Sequence, residues 1–203
     1  MSKAPSAKSG LTIPAEAETD GRRRRSADSR ERIVAAMLAL IKEGETSPGA
    51  EQVAARAQVG LRTVFRHFND MDSLYREMST AIEAELRPII EQPLEGGDWR
   101  ERLAHLIRRR AMAFEKITPF KQASQVHAHR SAVLRADNDR LSDILRLILK
   151  AVLPPEIAAD PDRFEPLDML MSYEAWARLR RDQHLDPAAA EALIHATVFK
   201  LLT

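Results

Sequence analysis

Cysteine is absent from the 203-residue sequence, which excludes disulfides and thiolate metal sites and fits a cytoplasmic location. No apolar run approaches the roughly 20 residues needed to span a bilayer, and the opening MSKAPSAKSG lacks the apolar stretch of a secretory signal. A membrane is therefore not expected among the partners. There is no alternating β-type run, no internal repeat and no glycine-rich phosphate loop. Catalytic constellations are missing too: no HExxH pair occurs and no serine sits in a nucleophile-elbow context. His127 and His129 lie two apart on an expected helix, so they cannot face one ligand. No catalytic residue, metal or cofactor is expected.

What remains is ordinary in amount and uneven in place. Hydrophobic residues make up 44% and charged residues 30%, the balance of a globular domain with a sizeable core. The net charge is +1, yet residues 22–69 hold ten Lys or Arg against five acids, a surplus of five that leaves −4 for the rest. A basic head on a mildly acidic body suits a module that binds a polyanion. The short helices there lack the broad lysine-rich face of a membrane-surface helix.

Periodicity predicts an all-α fold of about nine helices. Residues 1–25 read as a disordered N-terminal arm, basic at its end, where Arg22, Arg23, Arg24 and Arg25 form a run. That run is either a solvated tail or an arm that neutralises phosphates or enters a minor groove. The first helix is expected from Asp28, with Glu31 completing a capping box, to Gly44. Ser47-Pro48 offers a cap and first turn for the second. Asn69-Asp70 caps a connector helix carrying Leu74, Met78, Ile82 and Leu86 that should stop at or before Pro88. Pro93 and Gly96-Gly97 mark a loop, and with it a division into a 26–87 unit and an 88–203 unit. Helices are then expected over Trp99–Ile117, Thr118–His129, Ser131–Leu153, Asp160–Gln183 and Asp186–Leu202.

The organising stretch is residues 49–68, GAEQVAARAQVGLRTVFRHF. It divides into a short helix, Ala50–Ala57, a break at Gln58-Val59-Gly60, and a second short helix from Leu61. Leu61, Val64, Phe65 and Phe68 are expected on one face, and Arg62, Thr63, Arg66 and His67 on the other. Helices joined by so short a turn must cross steeply, as in a helix-turn-helix. The outward residues are then cationic and hydrogen-bonding groups suited to a DNA major groove. Spacing alone also allows a plain helical corner with a solvated charged face.

The segment VAARAQVGLRTVFRHFNDMDSLY resembles the DNA-binding pattern of the TetR family, V-A-x-x-A-G-V-S-x-x-T-[LV]-Y-x-H-F-x-x-K-x-x-L. Ala54, Ala57, Val59, Thr63, Val64, His67, Phe68 and Leu74 stand where the pattern has them. Gly60 replaces the usual Ser, Phe65 the usual Tyr and Met71 the usual Lys, so two phosphate anchors are altered. The resemblance implies a three-helix head on a ligand-binding and dimerisation body, in a regulator, most often a repressor, released from double-stranded DNA by a small-molecule effector. It implies DNA contacts from Leu61, Arg62, Thr63, Phe65, Arg66 and His67.

Two further groups carry open alternatives. Arg110 shares a stripe with Leu103, Ile107 and Phe114; either its stem packs and its head reaches the edge, or Arg110 and Phe114 line a pocket for an anionic effector. Tyr173 and Trp176, with Leu193 and Ala196 on the small-residue last helix, are either core residues of one chain or the seam of a homodimeric four-helix bundle. The ending SYEAWARLRRDQHLDPAAAEALIHATVFKLL resembles some TetR-like C-terminal domains, which favours the homodimer. Competing functions are a ligand-independent DNA-binding scaffold and a helical small-molecule binding protein or enzyme.

Overall fold

The computed structural model describes residues 15–129 and 131–203, with side chains from Arg24 onward except at 130. Among these residues there are ten α-helices, one π-helical turn and no strand, so the all-α expectation holds.

Helix α1 spans Ala15–Lys42 and begins well before the expected Asp28. Its early residues are mostly Ala, Glu and Arg without proline, which propagate a helix rather than leave the backbone disordered. Asp28 and Glu31 therefore lie inside α1 and cap nothing. Gly44, at φ 100°, ends it: Glu45 N–H reaches back to the Leu40 carbonyl, a closure that a left-handed glycine permits at low cost. Helix α2 is Ala50–Arg56, capped by Gly49 rather than Ser47, with the Gln52 side chain accepting from the Gly49 N–H at 2.8 Å. Helix α3 is Leu61–His67.

Helix α4, Met71–Ile90, starts on Asp70, whose carboxylate accepts from Ser73 N–H at 2.8 Å. It passes through Pro88 instead of stopping there. Near a C-terminus the carbonyls are losing partners anyway, so the proline's missing N–H is tolerated. Helix α5, Trp99–Ala128, likewise runs through Pro119 as one helix where two were expected. The loop before it turns at Gly96, φ 127°, where an added Cβ would lie 2.5 Å from that of Glu101.

Helix α6 is Ala132–Val152, capped by Ser131; a short α7, Pro155–Ala158, follows. The single helix expected over Asp160–Gln183 is broken. It becomes α8, Pro161–Leu170; α9, Tyr173–Ala177, capped by Ser172; and a π turn over Arg178–Asp182. Helix α10, Pro187–Leu201, is capped by Asp186.

Two buried clusters hold these elements. One joins Ile33, Met37, Val53, Val64, Phe68 and Leu74 from α1–α4, and it is completed by Phe120, Ala123 and Leu134 from α5 and α6. The other gathers Leu103, Ile107, Phe114, Leu149, Phe164 and Trp176. Helix α5 packs against α1, α4, α6, α9 and α10 and supplies side chains to both clusters.

Candidate nucleic-acid interface

The α2–α3 pair is fixed from within. Val53, Ala54 and Ala57 are buried on α2's side, and Val64 and Phe68 on α3's. The turn between them uses Gln58 at φ 54°. That is a left-handed residue where the TetR-like pattern has glycine, a fourth departure from it, and a non-glycine side chain there strains the backbone. Gln58 and Val59 N–H groups bond the Ala55 and Ala54 carbonyls, closing α2. Arg56 pairs with Glu43, tying α2 to the end of α1.

Arg30, which the sequence did not single out, anchors α3 from α1. One guanidinium nitrogen donates to the His67 carbonyl at 3.0 Å and another to Glu77 on α4 at 2.6 Å. Its guanidinium also lies 4.6 Å from the Phe68 ring centroid. A bond to the last carbonyl of α3 favours a cation through both hydrogen bonding and the helix dipole. The only signal in the sequence is a lone arginine three residues before Ile33, and nothing in its spacing separates it from a solvated one.

With its core side pinned, α3 presents a different face from the one expected. Phe65 is 48% exposed and Leu61 38%, so both belong to the outer surface beside Arg62 and Arg66, which are also exposed. At 100° per residue Val64 and Phe68 take the core direction, and Leu61 and Phe65 fall to one side of it. Thr63 is half-buried. His67 is half-buried too, and its Nε2 has neither a partner nor solvent contact; burial first, then the charges of Arg66 and Arg30, push its pKa below the usual imidazole value. His67 thus turns inward and does not join Arg62 and Arg66. Among the described residues neither of those arginines is spent on an internal hydrogen bond or ion pair. The result is an exposed strip with two guanidinium groups, unpaired among the described residues, beside two apolar side chains. Guanidinium forks match guanine O6 and N7, and apolar groups match thymine methyls.

The backbone of 22–25 continues α1 rather than forming a disordered arm. Arg24 and Arg25 are exposed, while the side chains of Arg22 and Arg23 lie outside the described residues.

In the body, Arg110 is only 4% exposed and does not reach the edge. It donates to the Met171 carbonyl at 2.8 Å and to the Leu145 carbonyl, and burial brings its pKa down to about 10, so it stays charged at neutral pH. Phe114 packs edge-on against Tyr173, ring centroids 5.7 Å apart, and lies near Trp176. Tyr173 and Trp176 are 3% and 1% exposed, which places them in the core of one chain instead of a seam between copies. Apolar volume wins: the largest side chains of α9 fill the space beside α5. Leu193 and Ala196 do lie on an exposed face of α10, with Ala189 and Ala192, opposite its buried Ala190, Ile194 and Val198.

A cavity of about 100 Å³ opens between α4, α5 and α6, away from Phe114. Its walls include Met78, Phe120 and Leu134 from the first core and Leu86 and Ile117 from the second. It therefore sits on the seam of the two clusters. Three histidines of the body hold structural contacts: His105 accepts from the Glu95 N–H, His127 bonds Ser47 and lies tilted against Tyr75, and His195 stacks on Phe199. Among the described residues no group of three or more His, Asp or Glu is placed to hold a metal, and no helix is long and apolar enough to cross a membrane.

No family model and no curated protein sequence matches the chain. Solved structures do. A transcriptional regulator from Rhodococcus sp. Rha1 superposes with a TM-score of 0.64 at 21% identity, over 85% of this chain and 95% of that one. A candidate transcriptional regulator from Streptomyces coelicolor A3(2) gives 0.62 at 24% identity, over 86% and 98%. The multidrug binding protein EbrR, complexed with imidazole, gives 0.58 at 16% identity, over 85% and 93%. At these identities the likeness is one of fold.

Proposed function

We propose that this chain is a sequence-specific DNA-binding transcriptional regulator of the TetR type, acting in the cytoplasm as a homodimeric repressor and not as an enzyme. The observation that carries it is the exposed strip of α3, where Arg62 and Arg66, with no ion-pair partner among the described residues, stand beside Leu61 and Phe65 on a helix pinned by one core, through Val64 and Phe68, and by Arg30. Arg62 reads a base edge and Arg66 a base or a phosphate; Leu61 and Phe65 meet thymine methyls. Thr63 holds the backbone, and Arg22–Arg25 add phosphate neutralisation from α1. Residues 26–87 form the reading unit and 88–203 the effector and dimer unit. The names of the fold neighbours agree with this reading.

One seven-residue helix makes few base contacts, so specificity calls for a second copy. The exposed apolar face of α10, at Leu193 and Ala196, supplies the pairing surface. A small molecule in the α4–α5–α6 cavity acts as effector. Its walls belong to both cores, so filling it shifts α4 against α5 and moves the two heads off the spacing of roughly 34–36 Å that successive major grooves require.

Selection of bound sequences from random duplexes tests the whole reading. A palindrome with half-sites one helical turn apart is the expected winner. On that sequence Arg62→Ala should weaken binding by about 1–3 kcal/mol and relax preference at one base pair. Indifference to every duplex at modest ionic strength rejects the proposal.

A further inference from the structure

The polar end of the α4–α5–α6 cavity carries both signs of charge in balance. Glu83 on α4, Lys121 on α5 and Asp137 on α6 all line it. Arg140 holds Glu83 and also Asp137, the latter at 3.3 Å. Two cations therefore stand against two carboxylates. An anion entering this end meets the acids, and a cation meets Lys121 and Arg140. The rest of the wall is mostly apolar, with Ile82, Phe120 and Leu141 among its residues. A charge moved into such a space loses more hydration than a balanced rim returns. Net charge of either sign is thus penalised.

The hydrogen-bonding capacity is likewise two-sided, and part of it is unused. Lys121 gives one N–H to Asn138 Oδ1 at 2.7 Å. An ammonium has three donors and no acceptor, so Lys121 has donors left for a guest. Asp137 is the next residue along α6, and its Oδ2 is buried without a partner, an acceptor short of a donor. The Ser79 hydroxyl, on the α4 wall, makes no hydrogen bond among the described residues and can give or take one. Unmet donors and acceptors are costly inside a protein, and a guest that supplies both halves recovers that cost. The volume of about 100 Å³ is on the order of the roughly 150 Å³ that holds a single benzene ring in an engineered protein core.

We propose that the cavity selects an uncharged guest, one ring or a short chain bearing a single group that both accepts and donates a hydrogen bond, such as a hydroxyl or a primary amide. That group accepts from Lys121 and donates to Asp137, while the apolar body lies against Ile82, Phe120 and Leu141. Lys121 and Asp137 belong to α5 and α6, so one small guest bridges two of the helices around the cavity. This rests on the effector reading above and names the chemical class of that effector.

The test uses the full-length protein at neutral pH, with calorimetric titration and thermal shift. Benzyl alcohol and benzamide are set against benzoate, benzylamine and anisole. The first two should bind about tenfold or more tightly than either charged analogue. They should also exceed anisole, which accepts a hydrogen bond but donates none. Lys121→Met leaves the acids in excess and should raise benzylamine affinity relative to benzoate; Asp137→Asn leaves the cations in excess and should move that ratio the other way. The ranking on wild type decides by itself should either variant fail to fold. A wild-type preference for either charged analogue, anisole equal to benzyl alcohol, a ratio unmoved by both substitutions, or no binding of benzyl alcohol and benzamide overturns the assignment. DNA affinity, followed by anisotropy on the selected duplex, separates the two claims. Neutral guests that bind with this ranking without loosening DNA support the ligand class and reject the effector reading. Release by a charged analogue alone rejects the class and keeps the effector.

Discussion

A guanidinium with 4% of its surface in contact with solvent must find acceptors inside the protein, and Arg110 places its two terminal nitrogens on the carbonyls of Met171 and Leu145, its Nε being left without a partner among the described residues. These bonds join α5 to the end of α8 and to α6, so the residue is a strut. Arg110→Ala should cost about 2–4 kcal/mol, because it leaves a void and two carbonyls short of a donor. Urea unfolding measures this, and an unchanged midpoint would show that the strut carries no load. His67 gives a pH-dependent counterpart. Its folded pKa is depressed, so near and below the unfolded value of roughly 6.5 the folded state binds fewer protons than the unfolded chain. Stability is then full above that pH and is lost as pH falls through it toward the lowered folded value. Thermal melts of wild type between pH 7.5 and about 5.5 should show a steeper decline than melts of His67→Gln; parallel curves would remove His67 from the account.

At the scale of elements, α10 is apolar on its buried face and on its exposed face alike. Ala190, Ile194 and Val198 are buried, while Leu193 and Ala196 face solvent. Leu193→Glu should leave single-chain stability within about 0.5 kcal/mol and shift the protein from dimer to monomer in light scattering, with DNA binding weakened in parallel. A dimer that persists would place the pairing surface elsewhere. This face was legible in the sequence as a run of small residues, but its partners on α9 were misassigned. Tyr173 and Trp176 read equally well as seam or core, and only the packing of Phe114 against them decides. Caps with a side-chain mechanism were readable: Asp70, Ser131 and Asp186 all accept from the N–H three residues on. Prolines misled. Pro88 and Pro119 were expected to bound helices and instead lie inside α4 and α5, because tertiary packing on both sides outweighs one lost backbone bond. The break at Met171-Ser172 was invisible for the opposite reason. No proline or glycine marks it, and the apolar period continues across it.

Across the whole molecule, the position of α5 was the least legible feature. Sequence divides the chain near residue 88, yet Phe120, Ala123 and Leu134 complete the core built by α1–α4, and periodicity cannot say which of two cores a buried residue enters. A continuous helix that serves both cores should make them unfold together. The two tryptophans make this testable, since Trp99 and Trp176 both belong to the α5-to-α10 side of the molecule. Their fluorescence reports that side alone, whereas far-ultraviolet circular dichroism reports every helix. Met37 is fully buried in the other cluster, and Met37→Ala should cost about 2–5 kcal/mol there. If the clusters are coupled, the fluorescence transition should shift by as much as the dichroism transition although no tryptophan lies near the substitution, and the two should stay superimposed. Separated transitions, with fluorescence unmoved, would mean that the cores are energetically independent. A ligand at their seam would then have no stiff connection through which to move the α3 strip.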